Sequence, residues 1–321
     1  QMMLFLNRRG LAGFVSCRSC GEVMKCPHCD VSLSEHKGGR LICHYCGYTQ
    51  PMPKLCPKCG SKYILGFKAG TQQIEEKLKE LYPGVRTLRM DADTTRTKDS
   101  YEKILSSFAN GEADVLIGTQ MIVKGHDFPK VTLVGILAAD LSLNASDYRA
   151  GERTFQLLTQ AVGRAGRGVL PGEAVIQTYQ PDHYAITCAA AQDYESFYQE
   201  EILYRELSGY PPVAHMLAVQ IYGKEEENVK QLALRLTDVV KSNMDFLSGK
   251  QKEQSNKKIQ VLGPAPANIS KINDIYRYVF YVKHAEYDVL VEVKDRLEET
   301  LRQWQPRQMS IQFDFDPVSV L

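Results

Sequence analysis

Apolar residues recur along this chain in two alternating rhythms. Met2–Leu6 is an unbroken apolar run of strand length, and residues 63–67, 85–90, 114–118, 131–137 and 173–179 are further short apolar-rich runs. Between them, residues 71–82 place Ile74, Leu78 and Leu81 at helical spacing, turn Glu75, Glu76, Lys77 and Lys79 outward, and stop at Pro83-Gly84. Residues 98–109 and 152–162 keep the same helical period. Short apolar strands separated by amphipathic helices predict an α/β fold with a parallel sheet.

The rhythm changes in the last third. Residues 182–210 read as tyrosine-rich helices, and Pro211-Pro212 marks a boundary because proline cannot continue a helix. Strand 216–222, helix 225–246, a polar loop at 248–258, strands 259–263 and 276–283, helix 287–303 and strand 309–314 follow. This βαββαβ order predicts a ferredoxin-like α+β domain.

One stretch fits neither rhythm. Eight of the nine cysteines form four Cys-x-x-Cys pairs, Cys17/Cys20, Cys26/Cys29, Cys43/Cys46 and Cys56/Cys59. Two thiolates at that spacing reach one metal from a tight turn, and four close a tetrahedron with no place left for water. The pattern predicts two structural Zn2+ ions. Disulfides fit less well, since the chain shows no apolar signal segment and is long enough to build cores without staples. Iron–sulfur clusters also use thiolates but fit the ribbon-like spacing less well. Gly38-Gly39 between short apolar runs reads as a hairpin, so Cys26, Cys29, Cys43 and Cys46 form an inner site and Cys17, Cys20, Cys56 and Cys59 an outer one. Sequential pairing and a cross-brace remain open alternatives. His28 and His44 stand beside ligand cysteines without being needed as ligands.

Composition narrows the setting. The chain is 44% hydrophobic with a net charge of +1, enough for sizeable cores and no global attraction to polyanions. No apolar run is long enough to span a membrane, and metal-type cysteine pairs fit a reducing cytoplasm. Residues 17–62 carry seven basic and three acidic side chains. Eight thiolates and two divalent ions would cancel that surplus, so the loaded module is near neutral and only local phosphate contacts are expected. Tyr45, Tyr48 and Tyr63 are candidate stacking platforms there, or else filler for a small core.

Three loops carry candidate chemistry: residues 90–95, 118–127 and 160–167. Loops at the carboxyl ends of parallel strands are where such folds bind ligands. Arg164 and Arg167, three apart at a helix end and set among glycines, can aim two charged forks at one polyphosphate. A solvated basic helix end is the competing reading.

Gln160-Ala161-Val162-Gly163-Arg164-Ala165-Gly166-Arg167 resembles motif VI of superfamily 2 helicases, and Thr119 through Lys124-Gly125-His126-Asp127 resembles their motif V. Both belong to the second RecA-like lobe of that superfamily. The four cysteine pairs after a strand ending Asn7-Arg8-Arg9-Gly10, together with Asp91-Ala92-Asp93-Thr94-Thr95, Asp147-Tyr148-Arg149-Ala150-Gly151-Glu152-Arg153 and Gly263-Pro264-Ala265-Pro266-Ala267, resemble the primosomal replication-restart helicases of the PriA family. Gln72 and Val162 depart from that pattern without removing a charged phosphate contact.

The resemblance implies a RecA-like parallel-sheet helicase lobe (1–16 and 63–210), an inserted two-zinc cysteine-rich module (17–62) and a ribosomal-protein-like, DNA-binding carboxyl-terminal domain (211–321). It gives Arg164 and Arg167 the role of arginine fingers on the nucleotide phosphates. It places Gln160 at the lobe interface, Gly125 and Asp127 near the ribose, and Thr119 and Lys124 on the nucleic-acid backbone. In the third domain Lys271, Arg277 and Lys283 are candidate phosphate contacts, with a solvated face the equal alternative for each. The implied activity is that of an ATP- and Mg2+-dependent 3′→5′ DNA helicase acting at abandoned forks and D-loops. Its implied partners are branched and single-stranded DNA, single-stranded-DNA-binding protein, primosome proteins and the replicative helicase loader, with no membrane. The chain contains no Gly-x-x-x-x-Gly-Lys-[Ser/Thr] phosphate loop and no Asp-Glu-x-His motif, so it is expected to match the carboxyl-terminal portion and to lack ATPase activity alone. A zinc-dependent binding module with an inactive motor lobe is the alternative. A ribosomal or polymerase zinc-ribbon protein has no use for the arginine pair.

Overall fold

A computed structural model describes residues 1–6, 15–17, 19–20, 22, 24, 27, 33–36, 39–42, 48–66, 70–97, 99–123, 127–139, 142–143, 148–178, 180–242 and 258–318. The chain divides into two compact units, residues 1–13 with 66–201 and residues 14–65 with 202–321. No helix among the described residues is long and apolar enough to cross a membrane.

The first unit is built on a five-stranded parallel sheet. β1 (Met2–Leu6) lies at its centre, flanked by β8 (Val115–Gly118) and β9 (Leu133–Leu137), with β7 (Thr87–Met90) and β10 (Glu173–Ile176) outermost, in the order β10-β9-β1-β8-β7. The inner strands are nearly all apolar because parallel sheets are covered on both faces. Met3, Phe5, Leu116, Val134 and Ile136 are buried. α2 (Ser100–Asn110) brings Phe108 and α3 (Ala150–Val162) brings Leu158 and Ala161 to the same core. α2 ends where Gly111 turns left-handed at φ 85°, a conformation that glycine adopts without Cβ strain. α1 (Thr71–Leu81) buries only Thr71. α4 (Tyr184–Ala191) follows, and the aromatic rings of Phe155 and Phe197 stack with centroids 4.0 Å apart; Phe197 belongs to α5 (Tyr194–Ser208).

In the second unit the carboxyl-terminal sheet contains β11 (His215–Gly223), β12 (Gln260–Ile272), β13 (Ile275–His284) and β14 (Met309–Phe315) in the order β12-β13-β11-β14. All three pairings are antiparallel, the order expected of a ferredoxin-like domain. α6 (Glu226–Ser242) and α7 (Tyr287–Trp304) pack on one face, burying Val229, Leu236, Leu290 and Leu297 against Val219 and Phe280.

The cysteine-rich segment adds two small ladders to this unit. β3 (Ser34–His36), β4 (Arg40–Ile42) and β5 (Thr49–Pro51) form an antiparallel sheet, with Gly39 left-handed at φ 67° in the expected hairpin. β2 (Val15–Cys17) pairs with β6 (Ile64–Gly66). This corrects the reading of residues 63–67 as a strand of the parallel sheet. The segments entering and leaving the module run side by side and satisfy each other's backbone, while Thr87–Met90 is the next strand of the parallel sheet. A second correction concerns residues 259–263, since the strand there continues to Ile272. Pro264 and Pro266 obscure it, but β12 is an edge strand, where a missing N–H costs no ladder bond.

Candidate functional site

The β2–β6 ladder brings the outer cysteines to one point. The Sγ atoms of Cys17, Cys20, Cys56 and Cys59 all lie within 4.8 Å of one another. Cys17 Sγ is 3.6 Å from Cys59 Sγ, and Cys20 Sγ is 3.7 Å from Cys56 Sγ. Four thiolates about 2.3 Å from one zinc ion stand roughly 3.8 Å apart along the edges of a tetrahedron, so the spacing fits. Backbone turns hold the knuckles, with Gly60 N–H donating to Cys56 O at 2.9 Å and Cys17 N–H to Glu22 O at 2.8 Å. Burial resists ionisation of Cys17, yet the N–H groups of Cys20 and Ser19 and the thiols of Cys59 and Cys20 bring it down to about 6. The Glu22 backbone favours the Cys20 thiolate, but hydrogen bonding to Cys59, burial, and hydrogen bonding to Cys17 and Cys56 push that thiol up to about 12. Such a set takes one negative charge easily and further ones only against a cation, which a divalent metal supplies. These four are the cysteines that the nested arrangement joins. Cys26, Cys29, Cys43 and Cys46 lie outside the described residues, as do His28, His44 and Tyr45.

In the first unit the candidate residues fall on two opposite edges of the parallel sheet. Thr119 follows directly from β8 at the carboxyl edge, where its carbonyl accepts from Ile122 N–H at 3.1 Å. The other group lies elsewhere. Gly166 N–H donates to Val131 O at 3.0 Å, just before β9, and Gly166 packs on Gly172, just before β10. The arginine loop, read from the sequence as a helix end, therefore sits at the amino edge, away from the two loops that follow strands. The cause is topological: β9 points toward the carboxyl edge, so a helix packed back along the sheet returns the chain to the other side.

At the amino edge, Arg167 Nη1 lies 3.6 Å from Asp127 Oδ1, and Arg167 Nε donates to Gly163 O at 2.7 Å. Arg164 is half-buried. Burial and the neighbouring Arg167 lower its pKa, while Asp127 opposes them. A Cβ on Gly168 would collide with the Pro129 carbonyl oxygen, so the glycine lets the arginine loop lie against the segment that follows Asp127. The structure thus gathers Asp127, Arg164 and Arg167, leaves Gln160 exposed in the last turn of α3, and sets Thr119 apart. Lys124 and Gly125 lie outside the described residues.

The carboxyl edge is organised by Asp91, which follows β7. Its carboxylate accepts from the Thr71 hydroxyl and from the N–H groups of Asp93 and Thr94, each of the latter at 3.0 Å, and is ion-paired with Arg89, whose Nε lies 2.9 Å away. Burial opposes its ionisation, but the Thr71 hydroxyl, Thr94 N–H, Arg89 and Asp93 N–H together hold its pKa below the ordinary carboxylate value. Glu75, bonded to Lys79 at 2.8 Å and to the Thr87 hydroxyl at 2.7 Å, supports Arg89 from the other side at 3.8 Å. The Thr95 hydroxyl reaches Met121 Sδ at 3.8 Å, which ties this turn to the Thr119 loop.

Other candidates change role. Lys283 is buried, donates to Ser208 O at 2.7 Å and lies 4.0 Å from the Tyr210 ring centroid, so it is an internal tie and not a phosphate contact. Lys271 donates to Pro27 O at 3.0 Å, an internal bond as well. Arg277 lies over the Tyr222 ring at 5.8 Å and stays half-exposed. Tyr48 packs on the module core with its hydroxyl on Gln50 at 3.1 Å, as filler does, whereas Tyr63 is 69% exposed. The Asn273-Asp274 turn was the one signal for the β12–β13 hairpin that the sequence carried and that the strand assignment passed over.

Three family models match the chain: the PriA DNA helicase Cys-rich region domain over residues 26–51, the helicase conserved C-terminal domain over 55–169, and the primosomal protein N C-terminal domain over 206–318. Replication restart protein PriA of Bacillus subtilis is 43% identical over 100% of the chain, which spans 39% of that relative. The proteins of the same name from Synechocystis and Chlamydia muridarum are 40% and 42% identical over 100% and 88% of the chain, which spans 37% and 36% of them. A cysteine-rich ribbon, a parallel-sheet helicase lobe and an antiparallel carboxyl-terminal sheet, matched together at this identity, mean that the chain belongs to the PriA family and corresponds to its carboxyl-terminal part.

Proposed function

We propose that this chain is the carboxyl-terminal part of an ATP-dependent 3′→5′ DNA helicase that recognises stalled or abandoned replication forks and D-loops and initiates primosome assembly. The observation that carries the reading is the meeting of Asp127 with Arg164 and Arg167 on a parallel-sheet lobe in a chain of this family. In the full-length enzyme the two guanidinium groups face the phosphates of ATP bound with Mg2+ on another lobe and stabilise charge that develops during transfer. Gln160 couples that event to the lobe interface. Gly125 and Asp127 line the ribose, and Thr119, at the opposite edge of the sheet, holds the DNA backbone together with Lys124.

The domain organisation we propose is a motor lobe over 1–16 and 63–210, a zinc module over 17–62 holding two structural Zn2+ ions, and a DNA-binding domain over 211–321. The partners are branched and single-stranded DNA, single-stranded-DNA-binding protein, primosome proteins and the replicative helicase loader, in the cytoplasm. With no phosphate loop of its own, the chain alone is expected not to hydrolyse ATP. The deciding experiment is Arg164→Ala in the full-length protein, which is expected to lower DNA-stimulated ATP turnover by about 10³-fold or more while DNA affinity holds. Normal turnover with lost DNA binding would refute the assignment.

A further inference from the structure

The cysteine-rich module is inserted early in the sequence, yet it packs against the last third of the chain. Ile272, at the end of β12, lies against the module's apolar core, whose members include the metal-site cysteines Cys17 and Cys56. Beside it, Lys271 Nζ donates to Pro27 O at 3.0 Å. Pro27 stands between Cys26 and Cys29 in the sequence. One two-residue step of β12 therefore meets the module twice, at the core that holds two outer cysteines and at the backbone carbonyl of Pro27.

The hairpin is built to present these side chains. Asn273 and Asp274 are both left-handed, at φ 50° and 62°, the pair of conformations that a tight two-residue hairpin turn requires. Asp274 Oδ1 lies 3.4 Å from Lys271 Nζ, and the Tyr276 ring centroid lies 4.9 Å from the same ammonium. The Lys271 side chain is only 18% exposed. Its charge is thus held by an anion and an aromatic face and directed at the Pro27 carbonyl.

We propose that the β12–β13 turn is a buttress of the zinc module, in which Lys271 and Ile272 are positioning residues that set how firmly the module retains its metal. The carboxyl-terminal domain then controls metal retention, and metal loss loosens the hairpin in return. This rests on the zinc reading of the module and not on the helicase reading.

The test uses the whole chain loaded with zinc, with release followed by transfer to a colorimetric chelator. Removing supports around metal ligands typically costs 10- to 100-fold in retention, so Lys271→Met and Ile272→Asp are each expected to release zinc roughly 10-fold faster or more. Lys294→Met, which removes an ion-paired lysine of α7, is expected to change nothing. On the unaltered chain, zinc removal is expected to speed amide hydrogen exchange at residues 271–276 and leave β11 and β14 unchanged. That arm decides the matter even if Ile272→Asp fails to fold. Release rates in Lys271→Met within about twofold of the unaltered chain, or exchange at 271–276 blind to zinc, overturn the buttress. A chain that purifies without zinc overturns the metal reading and the buttress with it.

Discussion

Asp91→Asn isolates the charge that organises the carboxyl edge of the parallel sheet. The substitution keeps shape and can keep the two backbone bonds from Asp93 and Thr94, each 3.0 Å long. It cannot keep the ion pair with Arg89 Nε at 2.9 Å, because the oxygen replaced by the amide NH2, Oδ2, faces both that guanidinium and the Thr71 hydroxyl. The hydroxyl can rotate to accept a hydrogen bond; the guanidinium has nothing to accept with. The loss is one ion pair, with its guanidinium left uncompensated, plus weakening of the two backbone bonds as the acceptor becomes neutral, together about 3 kcal/mol. Both partners are largely buried, at 14% and 21% side-chain exposure, so solvent recovers little, and about 3 kcal/mol is expected at neutral pH. Equilibrium urea unfolding followed by far-UV circular dichroism, fitted transition by transition, measures it. The pH dependence gives the sign. The folded state lowers the Asp91 pKa, so its stabilisation is complete above the ordinary carboxylate pKa of about 4 and is lost as pH falls through the lower folded value. The variant and the unaltered chain should therefore differ at neutral pH and converge only as pH falls through the lowered folded value. A difference under about 1 kcal/mol at neutral pH, or one that persists unchanged in acid, would refute the ionised carboxylate as the anchor.

Gly168→Ala drives a Cβ into the Pro129 carbonyl oxygen; it should cost about 1–3 kcal/mol and, in the full-length protein, lower ATP turnover with DNA affinity intact, and unaltered turnover would show that the arginine loop tolerates the shift. Cys56→Ser should remove the outer metal, seen by elemental analysis as the loss of one zinc, and expose the module to protease while the parallel sheet keeps its exchange protection; an unchanged zinc content would end the outer-site assignment. Lys283→Ala should destabilise the carboxyl-terminal domain by about 2 kcal/mol, through the lost bond to Ser208 O and the lost Tyr210 contact. The salt dependence of DNA binding should not change in that variant, whereas a reduced salt slope would restore Lys283 as a phosphate contact.

Element type was legible where the pattern was strong. Met2–Leu6, Val115–Gly118 and Leu133–Leu137 are near-continuous apolar runs because both faces of a parallel strand are covered. What a strand pairs with is not written in its own pattern. Residues 64–66 read equally well as a sheet strand or as a stem, and only the return of the chain beside Val15–Cys17 decides. β12 was legible only in part, since two prolines in its span imitate a loop, and its edge position is a tertiary fact. The arginine pair was identified by its motif, but its edge of the sheet follows from the direction of α3, which no local spacing encodes. Lys271 and Lys283 look alike in sequence, as basic residues near strand ends. Burial and distant carbonyls, Pro27 O and Ser208 O, turned both inward.

The placement of the cysteine module follows from its size. Among the described residues its buried apolar core comprises Val15, Cys17, Met24, Leu33, Leu41, Cys56 and Ile64, and two of these are metal-site cysteines. A module of this length buries too little apolar surface by itself to offset the conformational entropy of its loops. Metal supplies one remedy, since a folded four-cysteine site couples binding free energy directly to folding. A neighbouring surface supplies another by lending apolar area, as Ile272 does. The two remedies reinforce each other, because a borrowed contact made on the shell of the metal-site residues orders the knuckles before the ion arrives and lowers the entropic cost of binding it. Insertion in the chain and support in the fold are therefore separate matters: the module is threaded into the sequence of the motor lobe and stabilised by the domain that ends the chain.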